Sequence, residues 1–329
     1  MKNRNILLQV AIALGAGLLL SSAVTSDTVL SLLTQATIYA LFALGVGLLL
    51  KQNGMVSFGH ATFFGCAGYM AAILLNQKVA SAELIILMTI AGIAVAAFLL
   101  GLVVVRTPGI AFGMLTIAIG QMFYQVAARS RSLSGGADGM NIDWPARLFG
   151  IPVATLARQD NMFLLCWSVL VVVMGLLAVL AASRFGSVTE AIRDNEERAR
   201  FIGIRTLLPR AAVFSLSATV SALAGLLSAL YTGFISPENL HWSVSGTALM
   251  MVVIGGYRFL WGPPLGAVIF FLARDLIGSY AQHWLALFGA ILIIVIVFAP
   301  DGLSGAIARL PKRLRPRRAA SPVAVVVPR

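Results

Sequence analysis

The stretch 183-SRFGSVTEAIRDNEERARFIGIRTLLPR-210 is polar and lies between two apolar runs, 162–182 and 211–231. Each run would extend roughly 31 Å as a helix, against about 30 Å of bilayer hydrocarbon. A long apolar run, a charged interruption and a second long apolar run predict two membrane-crossing helices joined by a solvated loop. Inside the loop, Ser187 and Glu190 have capping-box spacing. The serine hydroxyl accepts from the Glu190 backbone N–H while the carboxylate accepts from the serine N–H. This predicts a helix beginning at Ser187. Val188, Ala191, Ile192, Asn195, Ala199 and Ile202 recur at helical spacing on one mostly apolar face. Asp194 with Arg198, and Glu196 with Arg200, are spaced as i,i+4 ion pairs on the other faces. Gly203 supplies a left-handed stop. The expected element is a short amphipathic helix held at a membrane surface. A positive loop that only sets topology is the plainer alternative and stays open.

Working outward, hydrophobic residues make up 59% of the 329 and mean hydropathy is +0.93. A soluble domain cannot carry such a composition, because its surface needs polar cover. The net charge of +12 comes from 24 Lys and Arg against 12 Asp and Glu. The basic residues gather in 183–210 and in a tail around 309–318, so positive-inside topology accounts for them without nucleic acid. The tail's arginines suit an anionic lipid leaflet. Cys66 and Cys166 both sit in apolar runs and lack metal-ligand spacing.

Ten apolar runs are found, at 6–24, 29–50, 58–75, 84–105, 109–128, 162–182, 211–231, 244–256, 264–280 and 284–299. The first follows MKNRN and resembles a signal peptide, but its length of about 19 residues favours an uncleaved span. Alternate threading from a cytoplasmic N-terminus places Lys51, Arg106, the central loop, Arg258 and the tail on one side, as the positive-inside rule expects. The expectation is an all-α polytopic membrane protein of about ten transmembrane helices, some broken or re-entrant. The 244–256 run, at roughly 20 Å, is too short for a full crossing. It ends in Gly255-Gly256, with Trp261-Gly262-Pro263-Pro264 just beyond, and Gln52-Asn53-Gly54 with Gly59-His60 break the chain in the first half. Paired breaks of this kind point to an internal repeat flanking a solute path, while tight interfacial loops would read the same way.

Chemistry-bearing motifs are few. There is no GxxxxGK[ST] phosphate loop, no HExxH, and only His60, His241 and His283, far apart. Ser57 and His60 share one short segment and do not form a facing pair. Ion-driven carriers bury acids or histidines as relays, and the apolar runs hold almost none. The exception is Arg274-Asp275, where each charge would cost about 2.5–3.5 kcal/mol at mid-helix on insertion scales. The turn Ser134-Gly135-Gly136-Ala137-Asp138-Gly139 could expose backbone N–H groups to a carboxylate; an ordinary loop is the plainer reading.

Seven blocks stand in order: NGMVSFGHA (53–61), RTPGIAF (106–112) with Thr116, SGGADGM (134–140), EAIRDNEERARFIGI (190–204), ISP (235–237), MVVIGGYRFLWGPPLGA (251–267) and APDGL (299–303). Together they resemble the LivM-type permease subunits of branched-chain amino-acid ABC importers, over about 29–305. The resemblance implies a bacterial inner-membrane permease with both termini cytoplasmic. It also implies a LivH-like second permease, two cytoplasmic ATPase subunits that bind the ATP and Mg, and a periplasmic or extracellular substrate-binding protein. No cofactor and no catalysis are expected in this chain. Glu190, Ala191 and Gly203 match the family's EAA-like coupling pattern, with Ile192 where the strict form has its second alanine. Arg258 replaces an expected small or apolar residue, and Arg274-Asp275 stands where a lone acid would be less surprising.

The expected organisation is therefore a transmembrane permease domain at 1–308, with its coupling loop at 183–210, and a basic cytoplasmic tail at 309–329. Coupling is expected to rest on Glu190, Ala191, Arg193, Asp194 and Gly203, and the translocation path on Thr116, Gly135, Gly136, Gly255 and Gly256. Related importers of urea, short amides or sugars would share this architecture. A self-powered ion-driven carrier is the rival class, distinguished by transport without ATPases.

Overall fold

The computed structural model describes residues 2–24, 26–278 and 301–313, with isolated positions between 279 and 300. The apolar runs become α1 (Lys2–Ala23), α2 (Asp27–Asn53), α3 (His60–Asn76), α4 (Ala82–Val104) and α5 (Gly109–Arg129). Single turns α6 (Arg131–Ser134) and α7 (Val153–Leu156) lie in the loop before α8 (Gln159–Ala181). The polar stretch holds α9 (Arg184–Asp194) and α10 (Glu196–Phe201), followed by α11 (Leu207–Thr232), α12 (Trp242–Gly255), α13 (Gly262–Gly278) and α14 (Gly302–Arg313).

Six of these, α1, α2, α4, α5, α8 and α11, are long and apolar enough to cross a membrane. Helices α3 and α13 have 17 residues each and α12 has 14. Of the about ten expected transmembrane helices, some broken or re-entrant, six are thus long and apolar enough for a full crossing among the described residues, and the runs at 58–75, 244–256 and 264–280 form the shorter α3, α12 and α13. The run 284–299 and the tail beyond 313 lie largely outside the described residues.

Helix α2 is buried on nearly every side, with Leu41, Phe42, Leu44 and Leu48 at the centre of the core. A helix apolar all round is one surrounded by others. It packs against α11, α13, α8 and α12, while α11 also contacts α3 and α4. Small residues allow the close approach. A Cβ on Gly225 of α11 would lie 2.0 Å from the Phe64 carbonyl oxygen of α3, and one on Gly45 of α2 would lie 2.7 Å from Ser221 Oγ. The outer helices present Leu7 and Leu19 of α1, and Leu87, Val95 and Leu99 of α4, on exposed faces, as a lipid-facing layer does.

Several polar groups inside the bundle bond between helices. Ser217 Oγ donates to the Gly45 carbonyl at 2.6 Å and lies 2.7 Å from His60 Nε2. A hydroxyl has one proton to give, so His60 Nε2 is the donor of that second bond. The Ala61 N–H donates to Ser245 Oγ at 2.7 Å. These bonds fasten the N-terminus of α3 to α11, α2 and α12.

Two small sheets tie the loops at the opposite end from α9. β1 (Met140–Asn141) pairs antiparallel with β4 (Phe234–Ile235), joining the loop after α5 to that after α11. β2 (Arg147–Leu148) and β3 (Ile151–Pro152) form a hairpin.

Candidate functional site

The loop helices are seated differently from the capping-box expectation. The N-cap is Ser183, whose Oγ accepts from the Gly186 N–H, and α9 begins at Arg184. Ser187 lies inside the helix, its hydroxyl donating back to the Ser183 carbonyl at 3.3 Å. The expected single helix also divides. Asn195 is extended (φ −160°, ψ 103°) and caps α10 by accepting from the Arg198 N–H at 2.9 Å. Asp194 pairs with the neighbouring Arg193 at 2.7 Å and not with Arg198, whereas Glu196 and Arg200 do pair, at 2.6 Å. Gly203 is left-handed at φ +86°. The Ile204 N–H reaches the Ala199 carbonyl and the Gly203 N–H the Arg200 carbonyl, the bond pattern of a Schellman stop.

The buried face of these helices comprises Gly186, Thr189, Ile192 and Ala199, while Ala191 and Ile202, expected on that face, are exposed. Three contacts pin the loop to the end of α2. Arg193 Nη1 donates to the Lys51 carbonyl at 2.6 Å, Thr189 Oγ1 donates to Gln52 Oε1 at 2.6 Å, and Asn53 Nδ2 donates to the Arg210 carbonyl at 3.0 Å. The last carbonyls of a helix have no partner within it and carry its negative dipole end, so an arginine there is doubly matched.

Glu196 holds α10 to the start of α11. It takes hydrogen bonds from Arg200 Nη2 at 2.6 Å and from Thr206 Oγ1 at 2.9 Å, and pairs with Arg210. Burial alone would raise its pKa. The Thr206 hydroxyl and the Arg210 and Arg200 guanidiniums outweigh burial and hold the carboxyl below its ordinary value.

Beside this junction is a cavity of about 490 Å³ in which Glu190 and Arg193 face Lys51, Gly54, Tyr257 and Arg258. The two interrupted segments of the chain therefore meet here: Gly54 is the left-handed C-cap of α2, and Tyr257-Arg258 follow the α12 break. Arg258 is tied to Asp301 at 2.8 Å.

Of the residues expected in coupling, Glu190 and Arg193 are gathered in this cavity, Asp194 is exposed beside Arg193, Ala191 is exposed, and Gly203 closes α10. Those expected along the path lie in three separate places. Thr116 is buried on α5, its Oγ1 accepting from the Phe58 N–H at 3.2 Å and donating to the Gly113 carbonyl at 2.8 Å. Gly135 and Gly136 form a tight turn beyond the C-terminus of α5. Gly255 and Gly256 sit where α12, α13 and α14 cross. A Cβ there would lie 1.9 Å from the Gly262 carbonyl oxygen or 2.2 Å from that of Asp301.

Three features were not anticipated from sequence: the His60–Ser217 bond between helices, the Thr189–Gln52 bond, and Phe201, which is 90% exposed at the end of α10. An apolar Phe-Ile pair directly before a helix-stopping glycine was the available signal for the last.

The profile of a family described as branched-chain amino acid transport system / permease component matches residues 28–300. Similar proteins include the high-affinity branched-chain amino acid transport system permease protein LivM of Escherichia coli K12 and that of Salmonella typhimurium LT2. Each is 26% identical over 292 residues, covering 82% of this chain and 68% of the relative. The autoinducer 2 import system permease protein LsrC of Salmonella paratyphi B is 27% identical over 264 residues, covering 77% and 70%. No solved structure matches.

Proposed function

This chain belongs to the branched-chain amino acid transport permease family, and from that premise we propose that it carries a branched-chain amino acid inward, driven by ATPases on which α9 and α10 rest. It is a multi-pass permease component of an ABC-type transporter, and its relatives are transport subunits, not enzymes. In the proposed assembly it sits in the bacterial inner membrane with both termini cytoplasmic. It is paired with a LivH-like permease, two ATPase subunits and an external substrate-binding protein.

The observation that carries the coupling role is the seating of Arg193 and Thr189 on Lys51 and Gln52. Helix α9 is fixed to α2, and Glu196 fixes α10 to α11. Helices α2 and α11 are the two most enclosed spans and pack on each other. A push on the loop therefore reaches both central helices as a body, and a flexible loop would absorb it. The same push acts on the 54–59 and 256–261 breaks, which reorient in the proposed cycle; Thr116, Gly255 and Gly256 stand against or within them.

Proteoliposomes containing the full complex, external binding protein and internal ATP should accumulate labelled leucine, and the lone permease under an ion gradient should accumulate none. Accumulation by the lone chain would overturn the reading. The similarity to LsrC favours, as a second reading, a cargo other than a branched-chain amino acid in the same architecture. Failure of leucine, isoleucine and valine alike, with import of another solute, would select it.

A further inference from the structure

At the end of α2 remote from the loop helices, Ser31, Leu32 and Gln35 face Phe271, Arg274 and Asp275 of α13 across a cleft of about 470 Å³. That volume is within the roughly 300–1,000 Å³ of small-molecule sites. Gln35 and Lys51 lie on the same helix, 51 − 35 = 16 positions apart, or about 24 Å at the helical rise. The cleft and the α9 seat thus occupy opposite ends of one enclosed rod.

The lining has the chemistry of a particular solute. Arg274 and Asp275 both line the cleft, so it presents a positive and a negative group side by side. Ser31 and Gln35 add hydrogen-bonding groups, and the Ser31 hydroxyl is positioned by Tyr231 Oη at 2.5 Å. Leu32 and the buried Phe271 form an apolar wall, with the Phe271 ring held 5.2 Å from that of Tyr39. Ionisable side chains within spans are costly against lipid and mark water-filled paths or protein contacts.

We propose that this cleft receives a zwitterionic α-amino acid, Arg274 taking the carboxylate, Asp275 the ammonium, and Leu32 with Phe271 the apolar side chain. Guanidinium and carboxylate meet as a two-point fork, which fixes orientation as well as charge. The assignment rests on the amino-acid cargo proposed above and names where that cargo is held.

The test uses the full complex in proteoliposomes with leucine as probe. Arg274→Gln and Asp275→Asn should each lower leucine uptake about tenfold or more, the effect of losing a hydrogen bond to a charged group, with assembled complex recovered at the parental yield. Arg274→Lys should recover part of the loss. Independently, Gln35→Cys, in a Cys66→Ser and Cys166→Ser background, should react with a water-soluble thiol reagent. Leucine should slow that reaction, and leucinamide, which lacks the carboxylate, should not. Parental uptake in both charge variants, or labelling indifferent to leucine, overturns the site. Failure of both variants to assemble also overturns it, by making the pair an interface with the second permease. A parental complex that imports no amino acid overturns the functional reading instead, and is recognised before any variant is compared.

Discussion

Arg193 Nη1 donates to the carbonyl of Lys51 at 2.6 Å, so the last turn of α2 is closed by a side chain 142 residues further along the chain. The bond joins a surface helix to the most enclosed span of the bundle, and it does so at the end where α2 gives way to the broken 54–59 link.

Arg193→Gln should uncouple the transporter. The charge-assisted bond to Lys51 is worth about 1.5–3 kcal/mol, so uptake is expected to fall about tenfold or more while the partner ATPases continue to turn over. The measurement is ATP hydrolysed per leucine imported, which should rise. An unchanged ratio would remove Arg193 from the coupling path.

Phe201, 90% exposed on α10, is expected to be a contact for the ATPase partner. Phe201→Ser should leave the melting temperature of the purified permease within about 2 °C, as surface substitutions do. It should weaken co-purification of the ATPases severalfold. Undiminished co-purification would count against α10 as the docking tip.

Acid should loosen the loop through Glu196. Its folded pKa is depressed below 4.5, so its contribution to stability is fully present above the unfolded value and disappears as pH falls through the folded one. Thermal melts of the purified permease should show no Glu196-dependent change between about pH 7 and about pH 5, and a loss below about pH 4.5. Glu196→Gln should be less stable than the parent at neutral pH, and the difference should vanish in strong acid. A difference that grew in acid would contradict the sign.

Ser217→Ala would leave the His60 Nε2–H and the Gly45 carbonyl without the hydroxyl that joins them. A buried group stripped of its partner costs about 1–3 kcal/mol. The variant should melt earlier than the parent, with Ser217→Thr intermediate.

Gly256→Ala tests the α12–α13–α14 crossing. The position has φ +88°, and a Cβ there would lie 2.2 Å from the Asp301 carbonyl oxygen. Backbone strain and overpacking together are expected to cost about 2–4 kcal/mol, read as loss of folded permease from the membrane. Normal abundance would show that the crossing relaxes cheaply.

Much of this architecture is local and therefore legible in the chain. Run length and hydropathy place the helices because each span must satisfy its own backbone in lipid, whatever its neighbours do. The Gly203 stop and the Glu196–Arg200 pair were likewise readable, since both involve residues within one or two turns. Helix start and continuity were not. Ser187 and Glu190 satisfy a local capping rule, yet α9 is capped by Ser183 and begins at Arg184, with Thr189 anchored on Gln52 and Ile192 buried beneath it. The division at Asn195 accompanies two separate anchorages, α9 on α2 and α10 on α11.

By itself, the sequence determined a helical membrane protein with one amphipathic, arginine-rich interruption and several breaks, because hydrophobic length and helix-stopping residues act over a few turns of backbone. Only the tertiary structure decided which breaks meet. Gly54 and Tyr257-Arg258 border one cavity beside Arg193, while Arg274 and Asp275 face α2 at its far end. Those juxtapositions come from the packing of α2 against α11 and α13 through small residues, a fit between distant surfaces that no local pattern encodes.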